Sequence, residues 1–161
     1  MDAIDLLQRQ HDEMEHALAQ VLETEDVSAK KERFAAIADL LTVHIASEEQ
    51  VFYPAVKAAR TEDVLLESLE EHLSLKRLLA DLLELDPAEQ TFEPKFKVLK
   101  EQAEHHHEEE EEHLFPTAGK LLGSARRLEL GNQMLELQKK LTRQGEPREL
   151  VNSQTDTAAP L

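Results

Sequence analysis

Two His-x-x-x-Glu units in this sequence combine side chains that bind metal ions in proteins. The first unit runs from His44 to Glu48 and the second from His106 to Glu110. On a helix, residues four apart lie one turn above the other, so both side chains of a unit can reach the same small volume. Each unit therefore offers an imidazole nitrogen and a carboxylate oxygen to one ion.

The two halves of the chain repeat this pattern. A further histidine precedes each unit at nearly the same distance. His11 lies 33 positions before His44, and His72 lies 34 positions before His106. We interpret the chain as a duplicated helical hairpin. Six residues are then candidate metal ligands, three from each half. They are His11, His44, Glu48, His72, His106 and Glu110.

Burial of this set would be costly without a bound cation. An unpaired carboxylate in a low-dielectric core carries a penalty of several kcal/mol. Imidazole and carboxylate ligands suit iron, manganese or zinc. Six ligands with twofold symmetry favour two ions, each with two histidines, and with Glu48 and Glu110 bridging the pair. Each ion would keep room for a bridging oxygen species and an exogenous ligand.

The remaining histidines are interpreted from their helical phase. His16 falls off the apolar stripe of its helix and is expected at the surface. His105 and His107 are expected to face outward or sideways. His113 lies on the stripe one turn beyond Glu110, so that it either supports a ligand or is a spare ligand itself.

Four amphipathic segments position the candidate ligands. Apolar residues recur at steps of three and four from Ile4 to Leu22, Phe34 to Ala55, Leu65 to Leu83 and Phe96 to Thr117. β-branched and aromatic residues are sparse, which argues against strands. Short links make neighbouring helices antiparallel. The sequence therefore predicts an all-α fold, an up-down-up-down four-helix bundle.

A weaker apolar stripe from Leu130 to Leu141 predicts a short additional helix after the bundle. Beyond Gly145 the chain is polar and is expected to form a disordered tail. The predicted organisation has three parts. They are a bundle at residues 1–122, an accessory C-terminal helix at 123–144 and the tail at 145–161.

Charge and composition exclude several classes of function. The formal net charge of −16 repels phosphate backbones and anionic lipid headgroups, so we expect no nucleic-acid and no membrane partner. The absence of cysteine excludes disulfides, thiolate metal sites and thiol catalysis. The N-terminus lacks the features of a signal peptide, and no apolar run approaches the ~20 residues of a membrane span. We expect a cytoplasmic monomer or weak homo-oligomer.

The combination of these motifs resembles the hemerythrin HHE cation-binding family over roughly residues 1 to 120. The resemblance implies a four-helix bundle of the hemerythrin type with a non-haem di-iron centre, bridged by an oxo or hydroxo group. The motifs that carry it are His11, the run from His44 to Glu49 followed by Phe52-Tyr53-Pro54, His72, and the run from His106 to Glu111 followed by Leu114-Phe115-Pro116.

The resemblance also implies that the three ligands of each half serve one iron, with both glutamates bridging. Lys76 departs from the pattern of the oxygen carriers of the family, which have a histidine there. A charged ammonium cannot ligate a metal, so water or one of Glu49, Glu111 and Glu71 would replace the missing ligand. The Lys76 side chain either pairs with an acidic residue or a metal-bound anion, or extends its stem to solvent.

The four-histidine set resembles the non-carrier members of the family, of the actinobacterial hemerythrin-like type, which include iron- and oxygen-responsive modules and peroxide-removing enzymes. We favour a catalase-like enzyme of oxidative-stress defence that disproportionates hydrogen peroxide. The alternative is a non-catalytic module that binds O₂, NO or iron for sensing or storage. A metal-free helical interaction protein is a third possibility.

Overall fold

The computed structural model describes all residues from 1 to 161, and most of them are helical. Two π-helical turns, Glu48–Phe52 and Glu110–Leu114, interrupt otherwise α-helical segments, and a 3₁₀ helix, Pro147–Gln154, lies near the C-terminus. The α-helices are α1 Ala3–Glu23, α2 Val27–Ser47, α3 Tyr53–Val56, α4 Glu62–Leu83, α5 Phe92–Glu109, α6 Phe115–Leu121 and α7 Ser124–Arg143.

The four long helices α1, α2, α4 and α5 form the predicted bundle. Helix α1 packs along α2 and α5, and α4 packs along α5 and also contacts α2. Side-chain caps begin the first two helices, because Asp2 accepts from the backbone N–H of Ile4 at 2.8 Å and Asp26 from that of Ala29 at 2.9 Å. The all-α bundle and the additional C-terminal helix, α7, are confirmed. None of the helices combines the length and apolar character that crossing a membrane would require.

Two apolar clusters fill the bundle, one toward each end. One cluster contains Met14 and Leu41, and the other contains Leu7 and Phe52. His11 lies between Leu7 and Met14 along α1, and the other candidate ligands lie at the same level of their own helices. Because each cluster is closely packed with aromatic and aliphatic side chains, the polar layer between them is shielded from solvent on two sides.

Each π-helical turn begins at a candidate ligand and leads to a proline, Pro54 or Pro116. A proline ring clashes with the carbonyl four residues earlier in an α-helix, and a wider turn relieves that clash. The wider turn also shifts the helical phase of the residues that follow. Phe52 and Leu114 are therefore the residues that point into the core one turn beyond the two glutamates.

The C-terminal segment is ordered, in contrast to the disordered tail expected after Gly145. Val151 is buried in the same apolar cluster as Met14, and Arg148 forms an ion pair with Asp39 at 2.8 Å. Gly145 has a φ of 144°, a conformation that favours glycine, and it turns the chain back after α7. The polar composition of this segment predicted disorder. A single buried valine produces no periodic apolar pattern that would have indicated a packed helix.

Helix α7 packs closely against the start of the chain. A Cβ atom at Gly131 would lie 1.9 Å from the carbonyl oxygen of Met1, so only glycine permits this approach. Helix α7 also contacts α1, α2 and the first π-helical turn. The accessory helix is therefore part of the packed structure on the α1–α2 side of the bundle.

Candidate metal centre

All six predicted ligands are buried and face one another in the polar layer of the bundle. The bundle brings together residues from four helices because each lies on the inward stripe of its own helix. Their ligand atoms form two groups, in each of which all atoms lie within 4.8 Å of one another. One group contains His11, His44, Glu48 and Glu110, and the other contains Glu48, His72 and His106.

Glu48 lies between the two halves of the site. Its Oε1 atom is 3.1 Å from Nε2 of His44 and 3.3 Å from Nε2 of His72. Burial and the nearby charge of Glu110 raise the pKa of Glu48 well above its usual value. Burial therefore favours the uncharged form of Glu48 unless a cation lies beside it.

Glu110 occupies the equivalent position between the other two histidines. Its Oε1 atom is 3.2 Å from Nε2 of His106 and 3.3 Å from Nε2 of His11. Burial alone would raise the pKa of Glu110, but the charge of the nearby His106 outweighs burial and holds this pKa well below its usual value. Both carboxylates are therefore placed to contact a ligand from each half, as the predicted bridging role requires.

His107 is a candidate ligand that the sequence analysis missed. It was expected to face outward or sideways, but it is only 1% exposed and stacks on His11 with ring centroids 3.9 Å apart. Its ligand atom groups with those of His11 and His44 within 4.8 Å. Burial and the nearby His11 lower the pKa of His107 well below its usual value, which keeps its ring neutral. A neutral imidazole is the form that binds metals.

His113 lies outside the site, in contrast to its predicted role beside the ligands. Its side chain is 57% exposed, and its nearest acidic partners, Glu109 and Glu112, lie 3.8 Å away at the surface. The π-helical turn accounts for the difference, because it places Leu114 on the inward face instead. His16 and His105 are exposed.

Carboxylates outside the polar layer orient the histidine rings. Glu49 faces Nδ1 of His72 at 3.0 Å, and Glu71 faces Nδ1 of His106 at 2.8 Å. A carboxylate oxygen only accepts, so each Nδ1 donates its hydrogen. The Nε2 atoms of His72 and His106 lie 3.0 Å apart and point into the site. Burial would lower the pKa of His106, but Glu110 and Glu71 outweigh burial and raise it to about 9.

Lys76 pairs with an acidic residue, the first of the two arrangements considered from the sequence. Its Nζ donates to Oε1 of Glu49 at 2.8 Å, and both side chains are largely buried. The hydrogen bonds and charges of His72 and Lys76 overcome the effect of burial and lower the pKa of Glu49. Glu49 is therefore engaged by its neighbours on both oxygens, and the ammonium acts on the site through Glu49 and His72.

Tyr53 is a second residue of the site for which the sequence analysis predicted no role. Its hydroxyl donates to Oε2 of Glu110 at 2.8 Å and lies 3.3 Å from Nε2 of His72. Burial and the nearby charge of Glu110 raise its pKa well above the usual value, so the phenol keeps its proton. The equivalent residue of the second half is Phe115, which has no polar atom. This difference between two matched positions is visible in the sequence and could have identified Tyr53 as a residue of the site.

The donor set fits metal ions because several buried atoms lack any other partner. The atoms without a hydrogen bond are Nε2 of His11, Nε2 of His44, both carboxylate oxygens of Glu48 and Oε1 of Glu110. Buried polar atoms are rarely left unsatisfied in folded proteins. All five atoms face the same small volume, and lone pairs that converge in this way require a cation or protons between them. The chemistry of these donors suits a divalent or trivalent transition metal.

Comparisons with known proteins identify a cation-binding family. Residues 2–118 match the family described as hemerythrin HHE cation binding domain. A curated protein from Nostoc sp., described as a DNA nickase, is 26% identical over 101 residues, which are 63% of this chain and 29% of that protein. The chain thus spans less than a third of the length of that relative.

A solved structure extends the similarity to nearly the whole fold. The crystal structure of a hemerythrin HHE cation binding domain-containing protein from Mycobacterium kansasii superposes with a TM-score of 0.79 and 22% sequence identity. The match covers 95% of this chain and 99% of the other. With the family match over most of its length, the chain belongs to the hemerythrin HHE cation binding domain family.

Proposed function

We propose that the polar layer holds two iron ions and that the protein disproportionates hydrogen peroxide. The observation that carries the proposal is the convergence of five buried, unpartnered nitrogen and oxygen atoms. One metal position would be held by His11, His44 and His107, and the other by His72 and His106. Glu48 and Glu110, which lie between the two positions, would bridge them.

Disproportionation balances without an outside reductant. One peroxide molecule gains two electrons and two protons and becomes two water molecules. A second peroxide loses two electrons and two protons and becomes O₂. Two iron ions that each change by one electron would supply and take back the two electrons. Buried residues of the chain must then exclude bulk water and provide hydrogen-bond partners for the peroxide oxygens.

The His72 and His106 side of the site is the better place for peroxide to approach. It has two histidines, compared with three on the other side. A surface cavity of about 450 Å³ reaches Glu71, the partner of His106. A second cavity, of about 380 Å³, reaches Glu49, the partner of His72. Both cavities therefore end one hydrogen bond away from the more open metal position.

Tyr53 is placed to donate a proton on this side. Its hydroxyl contacts both Glu110 and His72, and it lies in a buried environment that favours the neutral phenol. A donor at this point can hydrogen-bond a peroxide that approaches from the His72 side. Proton delivery by a positioned side chain typically contributes about 100-fold or more to a rate.

The test is O₂ evolution from hydrogen peroxide by the iron-loaded protein, measured with an oxygen electrode against free ferric iron at the same concentration. We expect turnover well above that of free iron and about two irons per chain by elemental analysis. Glu48→Gln should impair both irons together, because one carboxylate contacts both positions. Glu32→Gln, at an exposed position of α2, is the matched control and should behave as the wild type.

Two outcomes would overturn the proposal in different ways. Iron content near zero in protein purified and loaded without oxygen would exclude the metal centre. Two bound irons with no turnover would exclude the enzyme, and a stable O₂ or NO adduct would then identify a binding, sensing or storage module. The cytoplasmic location, the absence of nucleic-acid and membrane partners, and the monomeric or weakly associated state stay predictions from charge and composition.

A further inference from the structure

A chain of uncharged side chains links helix α7 to the metal centre. Nδ1 of His44 donates to Oε1 of Gln10 at 2.9 Å. Gln10 and Gln138 form a reciprocal amide pair, with N···O distances of 2.8 and 3.1 Å. Gln138 also donates to Oγ of Ser47 at 2.8 Å, and Ser47 donates to the carbonyl of Val43 at 2.8 Å. All of these side chains are buried.

This arrangement differs from that of the other histidines of the site. His72 and His106 donate to carboxylates, Glu49 and Glu71. A charged acceptor strengthens the hydrogen bond and makes the imidazole a stronger base toward a metal. His44 is the candidate ligand whose outer partner is an amide.

Gln138 also decides which atom of Gln10 faces His44. A free glutamine side chain could present either its oxygen or its NH₂ group to His44. The amide pair with Gln138 and the bond from Gln138 to Ser47 favour the orientation in which Oε1 of Gln10 faces Nδ1 of His44. His44 must then carry its hydrogen on Nδ1, which leaves the lone pair of Nε2 free to face Glu48.

We propose that Gln138, on the accessory helix outside the four-helix bundle, is a positioning residue of the metal centre that acts on His44 through Gln10. It fixes the His44 tautomer that binds metal, and it keeps the outer hydrogen bond of this ligand uncharged. Loss of Gln138 should therefore weaken the metal position of His11, His44 and His107 and leave the position of His72 and His106 unchanged. The inference rests on the metal centre proposed above.

The consequence can be measured as metal release, without any activity assay. Iron-loaded protein is reduced and mixed with a ferrous chelator, and the release of the two irons is followed by absorbance. In the wild type we expect two phases. Gln138→Leu removes the amide pair and should speed one phase about 10-fold, the lower end of the range for loss of a partner that orients a metal ligand. The other phase should not change.

A second variant reverses the sign of the effect. Gln10→Glu places a carboxylate opposite Nδ1 of His44, as Glu49 is placed opposite His72, and Nε2 of Gln138 can still donate to it, as it donates to Oε1 of Gln10. The same phase should then slow about 10-fold. A purely structural role for the amide pair predicts no slowing, because each change would only loosen the packing.

Two controls separate positioning from general loosening of α7. Gln133→Leu, on the exposed face of the helix, should leave both phases unchanged. Met134→Ala, at a buried position of the apolar cluster that contains Leu7 and Phe52, should lower the melting temperature of the apoprotein and leave both phases unchanged. If Met134→Ala also accelerates release, the effect belongs to packing and the inference is wrong.

The outcomes separate this inference from the proposed function. Wild-type protein that holds two irons, together with a Gln138→Leu variant that releases both at wild-type rates, would overturn the inference alone. Slower release by Gln138→Leu, or faster release by Gln10→Glu, would also overturn it. Wild-type protein that holds no iron would overturn the metal centre and this inference together.

Discussion

At the scale of single residues, the site is an asymmetric version of a duplicated pattern. Each half contributes one glutamate between histidines of both halves. His107 adds a third imidazole beside His11, whereas its counterpart in the first half, Ile45, is apolar and packs in the core. Tyr53 adds a phenol on the opposite side. The two proposed metal positions would therefore differ in ligand number and in proton donors, which would make one position more open.

His107 can be tested as a ligand. We expect His107→Ala to lose one of two irons preferentially, with release of that iron accelerated more than 10-fold, because a neutral buried imidazole would be absent from one position. Iron content by elemental analysis and chelator kinetics measure the effect. His105→Ala is the matched control, since His105 is the exposed neighbour on the other side of His106. Equal iron content in the two variants would remove His107 from the ligand set.

Tyr53 can be tested as a proton donor. Tyr53→Phe removes the hydroxyl that contacts Glu110 and His72 and preserves the ring. We expect the rate of O₂ evolution to fall about 100-fold, with iron content close to two per chain. Oxygen-electrode rates and metal analysis on the same preparation separate the two effects. A variant with wild-type turnover would show that the proton comes from elsewhere.

At the scale of elements, the π-helical turns and the C-terminal 3₁₀ helix set the surroundings of the ligands. Each turn begins at a glutamate, directly after the end of an α-helix. One turn later, an apolar residue, Phe52 or Leu114, points into the core. The 3₁₀ helix packs on α2 and α4. An ion pair between Arg148 and Asp39 fixes its start. Directly after its end, Arg77 donates to the backbone oxygens of Thr155 and Asp156.

The contribution of the C-terminal segment to stability can be measured at Val151. Val151→Ala removes two methyl groups from a buried site, and we expect a loss of about 1 to 3 kcal/mol in the free energy of unfolding. Urea denaturation of the apoprotein measures it. Leu150→Ala is the control, because Leu150 is 41% exposed and should change stability by less than about 0.5 kcal/mol. Equal effects of the two substitutions would contradict the packing of this segment.

At the scale of the whole molecule, folding and metal binding are linked through protons. The protein buries four groups whose charges depend on one another, namely Glu48, Glu110, His106 and Tyr53. The raised pKa values of Glu48 and His106 favour bound protons, which would limit the electrostatic cost of the buried layer in the absence of a metal. A bound cation would take over this role, so metal binding must release protons.

The stability of the apoprotein should therefore fall as pH rises from about 6.5 to about 9. The folded pKa of His106 is about 9, above its usual 6.5. Its protonation thus stabilises the fold fully below pH 6.5, and this contribution is lost as pH rises through 9. We expect a loss on the order of 1 to 3 kcal/mol by urea denaturation. His106→Gln should flatten the slope, and an apoprotein that gains stability over this range would contradict the assignment.

The stabilisation of the fold by bound iron should increase with pH, whereas the stability of the apoprotein should fall. Because a cation must displace the proton of His106, whose pKa is about 9, its affinity should rise as pH approaches 9. The difference between the melting temperatures of the iron-loaded protein and the apoprotein should therefore increase from pH 6.5 to pH 9. Calorimetric titration in buffers of different ionisation enthalpy counts the released protons. Metal binding without proton release would show that the metal displaces no proton from the site.

The sequence by itself determined the bundle, and it predicted which six candidate ligands share the inward faces of the helices. Spacings of three and four residues fix which side chains share a face of a helix, and this periodicity is local. His44 and Glu48 must therefore face the same way. Duplication of the unit at His106 then indicated that both halves meet in one site.

Only the tertiary structure decided the features that depend on contacts between distant segments. His107 faces inward because of how α5 is rotated against α1, and no local period specifies that rotation. His113 is exposed because a π-helical turn changes the phase after Glu110. Gln138 reaches His44 only through Gln10, 128 positions away in the chain. Contacts between distant segments place these side chains, and the spacing of residues along the sequence does not predict those contacts.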